Sequence, residues 1–509
     1  MKIAILHYHL NRGGVSRVIA SQLQSLDRVL TQEDSAEVAI LFGGRAEGWP
    51  TDIANQLHSL KLHLRNIPSL DYDEATVPNP DGLCSAIKTE LDHLGFTAQE
   101  SVLHVHNHAL GKNISLPGAI QRLAEAGYPL LLQIHDFAED NRSANYCRLK
   151  EALSAEPFPA VLYPTANHIH YAALNKRDQI VLQATGLPTE RLHFLPNPVP
   201  ALGSLPEQAA TRDRLQQKFS IRKHEQYLLY PVRAIRRKNL GETILLSVLQ
   251  QDAVLGVTLL PMNPVERKYY DFWKQQRDEH GYPVRLETGE ANGLSFYENL
   301  AAADHVVTTS VAEGFGMVYL ESWLADRQLS GRNLPEITAD FVESGLRYPN
   351  MYDRLVVPES WIDRNSYERK LGTAIKTVIE NYNLSPMNES DLHRLIDAKF
   401  ANGAIDFADL DEPLQAKVIS KVYTDVKSKA ELLSLNPNSA IGAEDVELIA
   451  RNKALVAENY SLATSGGKLL KVFQRVAGSE RDTKIKTLAH PENILGKLLD
   501  LSRLQLIRT

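Results

Sequence analysis

Through the first half of the chain, short apolar runs alternate with longer stretches whose apolar positions recur every three or four residues. Residues 2–6, 37–42, 101–106, 130–134 and 160–164 are compact apolar runs and predict strands. Residues 15–26 and 116–125 carry helical spacing and predict helices between them. Strands that alternate with helices predict parallel βα units, because a parallel neighbour is reached only through a crossover connection. The proline-rich stretch 195–200 (LPNPVP) ends this pattern, and the polar stretch 201–223 predicts a linking or peripheral helix.

A second alternating set begins at 226–230 (QYLLY). Strands are predicted at 254–260 and 305–310, and helices at 240–249, 265–278 and 297–302. Beyond about residue 353 the chain turns helical and charged. Residues 430–509 show helical periodicity with no clear strand, and 450–476 predicts a long helix. No internal repeat and no long low-complexity tract interrupts either half. The fold class that follows is α/β, with two doubly wound domains.

Length agrees, since 509 residues exceed the roughly 250–300 at which a single core stops growing. A net charge of −7 gives no electrostatic footprint for bulk nucleic-acid binding. The two cysteines, Cys84 and Cys147, offer neither a disulfide framework nor zinc spacing, which predicts a reducing, cytoplasmic setting. The chain enters a strand at once without a signal-peptide pattern. No apolar run reaches the ~18–20 residues that span a bilayer.

The densest chemistry lies at 310–323 (SVAEGFGMVYLESW). Glu313 and Glu321 flank a Gly314-Phe315-Gly316 turn that hands the strand 305–310 to a helix over 317–325. Open α/β sheets bind ligands at that end of their strands, and helix N-termini suit phosphate. Eight helical residues rise ~12 Å, so the two carboxylates cannot grip a single atom; they suit either the two ends of one elongated ligand or a tight turn followed by a helix with one solvated Glu.

Four other segments accompany this turn: 2–14 (KIAILHYHLNRGG), 131–136 (LLQIHD), 230–239 (YPVRAIRRKN) and 459–462 (NYSL). In this order, over about residues 1–465, they resemble the retaining GT-B glycosyltransferases, most closely glycosyltransferase family 4. The resemblance implies two Rossmann-like domains facing a central cleft, with a C-terminal helical segment crossing back. Residues 1–200 would form the N-terminal acceptor-side domain and 201–440 the nucleotide-sugar-binding domain. Residues 441–509 would form a helical segment that braces the N-terminal domain, with 450–476 as the crossing helix.

The resemblance also implies roles. Arg233 and Lys238 would neutralise the leaving diphosphate, Glu313 would bind donor sugar hydroxyls, and Glu321 the ribose hydroxyls. The backbone of Gly314, Phe315, Gly316 and Met317 would lie near sugar or phosphate, and Gly14, beside Gly13, would let the first domain's backbone approach the ligand. His135 would contact the donor sugar or shape the reaction site. Retaining members of this fold use the leaving phosphate as base, which implies a hexosyltransferase with no metal and no cofactor. Taken alone, Arg233 and Lys238 also fit a solvated basic turn, since Arg236 and Arg237 share their run.

Arg12, Lys112 and Arg142 follow first-domain strands, and His108 extends the run His104, His106, His108. Together these are the acceptor-side candidates, and convergence of the three cations would suit a phosphorylated or carboxylated small acceptor, or a glycan. On a strand the three histidines would share one face. Zinc is the lesser reading there, cleft lining the greater. Asp71-Tyr72-Asp73 is a D-x-D between proline-bearing segments, read as a loop and not a metal site. At 328–336 (QLSGRNLPE) the family's double glycine is missing, and Arg332 either meets charge on a ligand or satisfies backbone carbonyls. The basic stretch 468–486 is read as the solvated face of the bracing helix, with an anionic membrane as the other option. The expected enzyme transfers a sugar from a nucleotide-diphosphate donor to a hydroxyl acceptor. The rivals are an inactive GT-B-like scaffold and an epimerase or phosphorylase on the same fold.

Overall fold

The computed structural model describes residues 1–31, 36–154 and 158–508. The chain forms two compact units. Unit 1 comprises Met1–Pro200, Asn381–Asn383 and Glu458–Asp500; unit 2 comprises Ala201–Glu380, Leu384–Ala457 and the segment from Leu501 onward.

Unit 1 is built on a seven-stranded sheet. Its strands are β1 (Lys2–His7), β2 (Ala36–Phe42), β3 (Leu60–Asn66), β4 (Ser101–His106), β5 (Leu130–Ile134), β6 (Ile169–Ala173) and β7 (Leu192–Phe194). Their order is β3-β2-β1-β4-β5-β6-β7, and every pairing is parallel. The central strands are buried on both faces, as a sheet covered by helices on each side requires. Helix α1 (Gly14–Val29) follows β1, and α2 (Leu116–Glu125) follows the loop after β4.

Unit 2 repeats the plan with six strands. These are β8 (Gln226–Arg233), β9 (Ala253–Leu259), β10 (Val284–Leu286), β11 (His305–Thr308), β12 (Leu329–Arg332) and β13 (Met351–Tyr352), ordered β10-β9-β8-β11-β12-β13 and all parallel. Helix α3 (Leu240–Leu249) follows β8 and is buried along its whole length. Helix α4 (Val318–Leu324) follows β11. In both units strand order reverses once, between β1 and β4 and between β8 and β11. The crevice outside the carboxyl ends of such a pair is where open α/β sheets take their ligands.

Three expectations about elements need correction. Residues 160–164 do not form a strand: Phe158–Leu162 is helical, and the strand beside β5 is β6. A five-residue apolar run bounded by prolines is compatible with either state, because periodicity cannot separate them at that length. The single helix over 450–476 is two, Val446–Tyr460 and α5 (Leu462–Ala477). Ser461 separates them, its side chain accepting a hydrogen bond from the Thr464 N–H as the N-cap of α5. Residues 430–509 do contain strand, since Lys486–Thr487 pairs antiparallel with Pro164–Thr165.

Helix α5 packs on α1 within unit 1. It buries Leu469, Val472, Phe473 and Val476, the i, i+3, i+4, i+7 stripe of an amphipathic helix. Each such side chain contributes about 1.5–3 kcal/mol when withdrawn from water. Gly466 permits the close approach: a Cβ there would lie 2.0 Å from the Ser25 carbonyl oxygen. None of the described helices is long and apolar enough to cross a membrane.

Candidate active site

At the switch point of unit 2, two loops meet. The first leaves β8 at Arg233 and runs through Arg236–Lys238 into α3; the second leaves β11 and runs through the Gly-Phe-Gly turn into α4. They are tied together by their backbones, the Val311 N–H donating to the Arg237 carbonyl at 3.0 Å. Tyr230, fully buried on β8, hydrogen-bonds the Ser310 hydroxyl at 2.8 Å and donates to the Lys238 carbonyl at 3.2 Å. The Thr309 hydroxyl also donates to that carbonyl, at 2.9 Å. The position of Lys238 is therefore set by core side chains of both strands.

Lys238 forms an ion pair with Glu313, and their side chains are only 13% and 9% exposed. Burial pushes the Glu313 carboxyl up, but Lys238 and Arg237 outweigh it and hold it below the usual carboxylate range. Glu313 is thus ionised at neutral pH although it is out of water. Arg236, in the same basic run, is spent elsewhere: it grips Glu412 through two bonds of 2.6 and 2.9 Å and lies over the Tyr269 ring. Arg233 ends β8, half-buried, with one bond to the Leu260 carbonyl at 3.1 Å. The basic run therefore divides: Arg236 is held in a structural ion pair, while Lys238 pairs with Glu313 across the switch point.

The turn itself has a steric cause. Gly316 sits at φ +82°, and a Cβ there would lie 2.7 Å from the Tyr319 ring and 2.9 Å from Ile337. The Phe315 ring is buried edge-on against Phe341, with centroids 5.5 Å apart, so Phe315 offers a ligand only its backbone. No side chain caps α4 at Met317. Glu321 lies on α4 and is 9% exposed.

Arg332 resolves against the ligand reading. It is 2% exposed on β12 and forks onto two carboxylates, Glu242 at 2.7–2.8 Å and Asp406 at 2.8–2.9 Å. A further bond goes to the Asp353 carbonyl at 3.1 Å. Two buried carboxylates and a carbonyl exhaust the guanidinium, which leaves it no part in holding a ligand. The sequence reading missed Glu242 and Asp406 as its partners because they lie on other elements, 90 and 74 residues away.

In unit 1 the loops at the carboxyl ends of the strands carry the remaining candidates. Gly14 opens α1 on an exposed surface, and a side chain there would meet nothing within 4 Å. His135, just past β5, is 6% exposed and bonds His106 between Nε2 and Nδ1 at 2.8 Å. Its backbone N–H donates to the Asn107 side chain at 2.7 Å. Burial lowers its pKa to about 4, so the imidazole is neutral at pH 7.

His104 and His106 share a face of β4, with ring centroids 4.2 Å apart, but His108 does not join them. Asn107 adopts φ +59°, which breaks the alternation. His108 turns into the core, fully buried, with Nε2 on the Leu162 carbonyl at 2.8 Å. It is a structural histidine and not an acceptor-side residue.

Asp71 and Asp73 are each engaged by an arginine, Arg45 and Arg148 respectively. Between them Tyr72 stands 43% exposed, with the Arg45 guanidinium and the Lys112 ammonium 5.1 and 5.3 Å from its ring centroid. Arg142 binds Asp136 at 2.5 Å. Arg12 is exposed on the loop after β1. Sequence reasoning passed over Arg45 and Tyr72. The signal available was that the segment around 71–73 directly follows a strand, but β3, an edge strand with Lys61, His63 and Arg65 along it, did not read as one.

No family model matches the chain. It is 26% identical to the mannosylglucosyl-3-phosphoglycerate synthase of Petrotoga mobilis, over 99% of this chain and 98% of that protein. Among solved structures it is similar to sucrose-phosphate synthase of Thermosynechococcus elongatus, with a TM-score of 0.54, 11% identity, and 94% of this chain and 99% of that chain covered. It is also similar to Anabaena HepE in complex with UDP-glucose, with a TM-score of 0.53, 12% identity, and 93% and 99% covered. These structures share its fold, that of the GT-B glycosyltransferases.

Proposed function

We propose that the chain is a hexosyltransferase that moves a sugar from a nucleotide-diphosphate donor to a hydroxyl of a small phosphorylated acceptor, with retention and without a metal. The observation that carries this reading is the buried Lys238–Glu313 pair at the switch point of unit 2, framed by Arg233, Glu321 and the Gly-Phe-Gly turn. The Petrotoga relative, named for a product that is a glycosylated phosphoglycerate, supports the acceptor class.

The chemistry follows from the residues. Lys238 spends one of its three N–H donors on Glu313 and keeps two for diphosphate oxygens. Arg233 adds a second cation, and together they stabilise the charge that grows as the bond from the sugar carbon to the phosphate oxygen breaks. Glu313, held ionised, accepts hydrogen bonds from the donor sugar, and Glu321 accepts from the ribose. The acceptor hydroxyl attacks the same face of the sugar carbon. Its proton passes to the departing phosphate oxygen, so no carboxylate nucleophile and no separate base is needed.

The test is to incubate the protein with UDP-, GDP- and ADP-sugars and follow release of nucleoside diphosphate. One donor should be hydrolysed slowly without acceptor, at a rate indifferent to EDTA, and the anomeric proton coupling of the transferred product should match that of the donor. Absence of hydrolysis with every donor, or an inverted product, overturns the reading.

A further inference from the structure

Four cations gather at the carboxyl ends of β2, β4 and β5 in unit 1: Arg45 after β2, Lys112 after β4, and Arg142 and Arg148 after β5. The three arginines are each matched: Arg45 by Asp71, Arg142 by Asp136, Arg148 by Asp73. Lys112 is not. It is half-buried, its ammonium lies 5.3 Å from the centroid of the Tyr72 ring, and no carboxylate among the described residues pairs with it. Arg45 stands 5.1 Å from the same centroid, so the ring is flanked by two cations.

Such an arrangement costs free energy when empty. Burial and the neighbouring guanidinium groups of Arg142 and Arg148 all disfavour the charged form of Lys112. The geometry is nonetheless fixed. The Asp73 N–H donates to the Lys112 carbonyl at 3.0 Å, and the Asp73 carboxylate accepts from the Ile114 N–H at 3.1 Å, which ties the loop after β3 to the loop after β4. Arg148 donates to the Gly111 carbonyl at 3.3 Å. An unmatched cation whose loop is tied to the loop after β3 and to Arg148 on the helix Ser143–Ala152, beside the β1/β4 switch point, is the feature of an anion site, and not of scattered surface charge.

We propose that Lys112, with Arg45 and Arg142 around the Tyr72 ring, binds an oxyanion, a phosphate monoester or a carboxylate, carried by the acceptor of the transferase reaction. The assignment to the acceptor rests on the transferase reading; the anion site itself rests on the loops of unit 1. Lys112 supplies the uncompensated charge. Arg142, with only one nitrogen bonded to Asp136, and Arg45 supply directional N–H donors that an oxyanion can share. Tyr72 provides a flat, exposed wall against which the apolar part of a small acceptor can lie.

The experiment measures binding of glycerol phosphate and of glycerate to the full-length protein by calorimetry, for wild type, Lys112→Met and Lys112→Arg. At least one probe should bind wild type. Lys112→Met should weaken it by about tenfold or more, the loss of one charge-assisted hydrogen bond, while Lys112→Arg retains most of the affinity. Binding of glycerol phosphate alone identifies a phosphate site, and binding of glycerate alone a carboxylate site. Failure of both probes to bind, or equal binding by wild type and Lys112→Met, overturns the proposal. The melting-temperature shift given by the nucleotide-sugar is recorded on the same samples and should survive in Lys112→Met. A wild type that binds the probes but shows no donor shift retains the anion site and loses the transferase reading.

Discussion

Two lysines stand at the reversals of strand order in the two units, Lys238 in the loop after β8 and Lys112 in the loop after β4. Lys238 is buried against Glu313, and Lys112 is half-buried against the Tyr72 ring with no carboxylate. In unit 2, three cations near the site are held by carboxylates: Lys238 by Glu313, Arg236 by Glu412, Arg332 by Glu242 and Asp406. Around the Tyr72 ring of unit 1, Lys112 has no carboxylate partner among the described residues. Matched charge fixes geometry at the cost of desolvation, and removing one member strands the other. Unmatched charge stabilises nothing within the chain and is available to a ligand. The two loops thus suit different tasks, one holding a reacting diphosphate in a set position and the other attracting an anion from solution.

The comparison is broken most severely at Arg332. Arg332→Met leaves Glu242 and Asp406 buried without a cation, and unfolding of the variant in urea should show a loss of about 3–5 kcal/mol. At the site itself, Lys238→Ala should lower kcat/KM by about 10²–10³-fold, the loss of one preorganised donor to the leaving group. It should also raise the pKa of Glu313, since Lys238 is the largest influence that holds it down against burial.

The buried histidines give a pH test of unit 1. His108 has a folded pKa of about 4 against an ordinary 6.5, because burial disfavours its charged form. The unfolded chain therefore takes the proton first as pH falls. The stability this group confers is complete above pH 6.5 and is lost as pH drops through 4. His108→Gln should flatten that part of the stability profile by at most roughly 3 kcal/mol at its acid end, measured by denaturant unfolding between pH 4 and pH 7. The smallest effect is the most diagnostic. Lys112→Met should change stability by no more than about 0.5 kcal/mol, since it strands no partner, yet abolish most oxyanion binding.

Much of the fold was legible in the chain. Residues 101–106, 116–125, 130–134 and 240–249 coincide with β4, α2, β5 and α3, because each is long or apolar enough for its period to be unambiguous. Strands β3, β6 and β7 of unit 1 and β10, β12 and β13 of unit 2 were not recovered: β3 alternates with charge at the sheet edge, and β7, β10 and β13 are only two or three residues long. At the site, 233–238 and 313–321 were picked out through the resemblance of their order and spacing to the family's motifs. Which cations were already spent could not. Arg332 and Arg236 are matched by carboxylates from distant parts of the chain, and only the fold brings those partners together. Tyr72 and Arg45 were hidden for the same reason, since a loop after an unrecognised strand has no assigned place.

The most direct test of the central claim is a thermal-shift panel of UDP-, GDP- and ADP-sugars against wild type, Lys238→Ala and Glu321→Ala. At 100 times its dissociation constant a bound donor stabilises by ~2.7 kcal/mol, a rise of a few degrees. The account expects one nucleotide class to raise the wild-type melting temperature and both variants to lose that rise. No shift with any nucleotide-sugar, or variants that respond as wild type does, would contradict it.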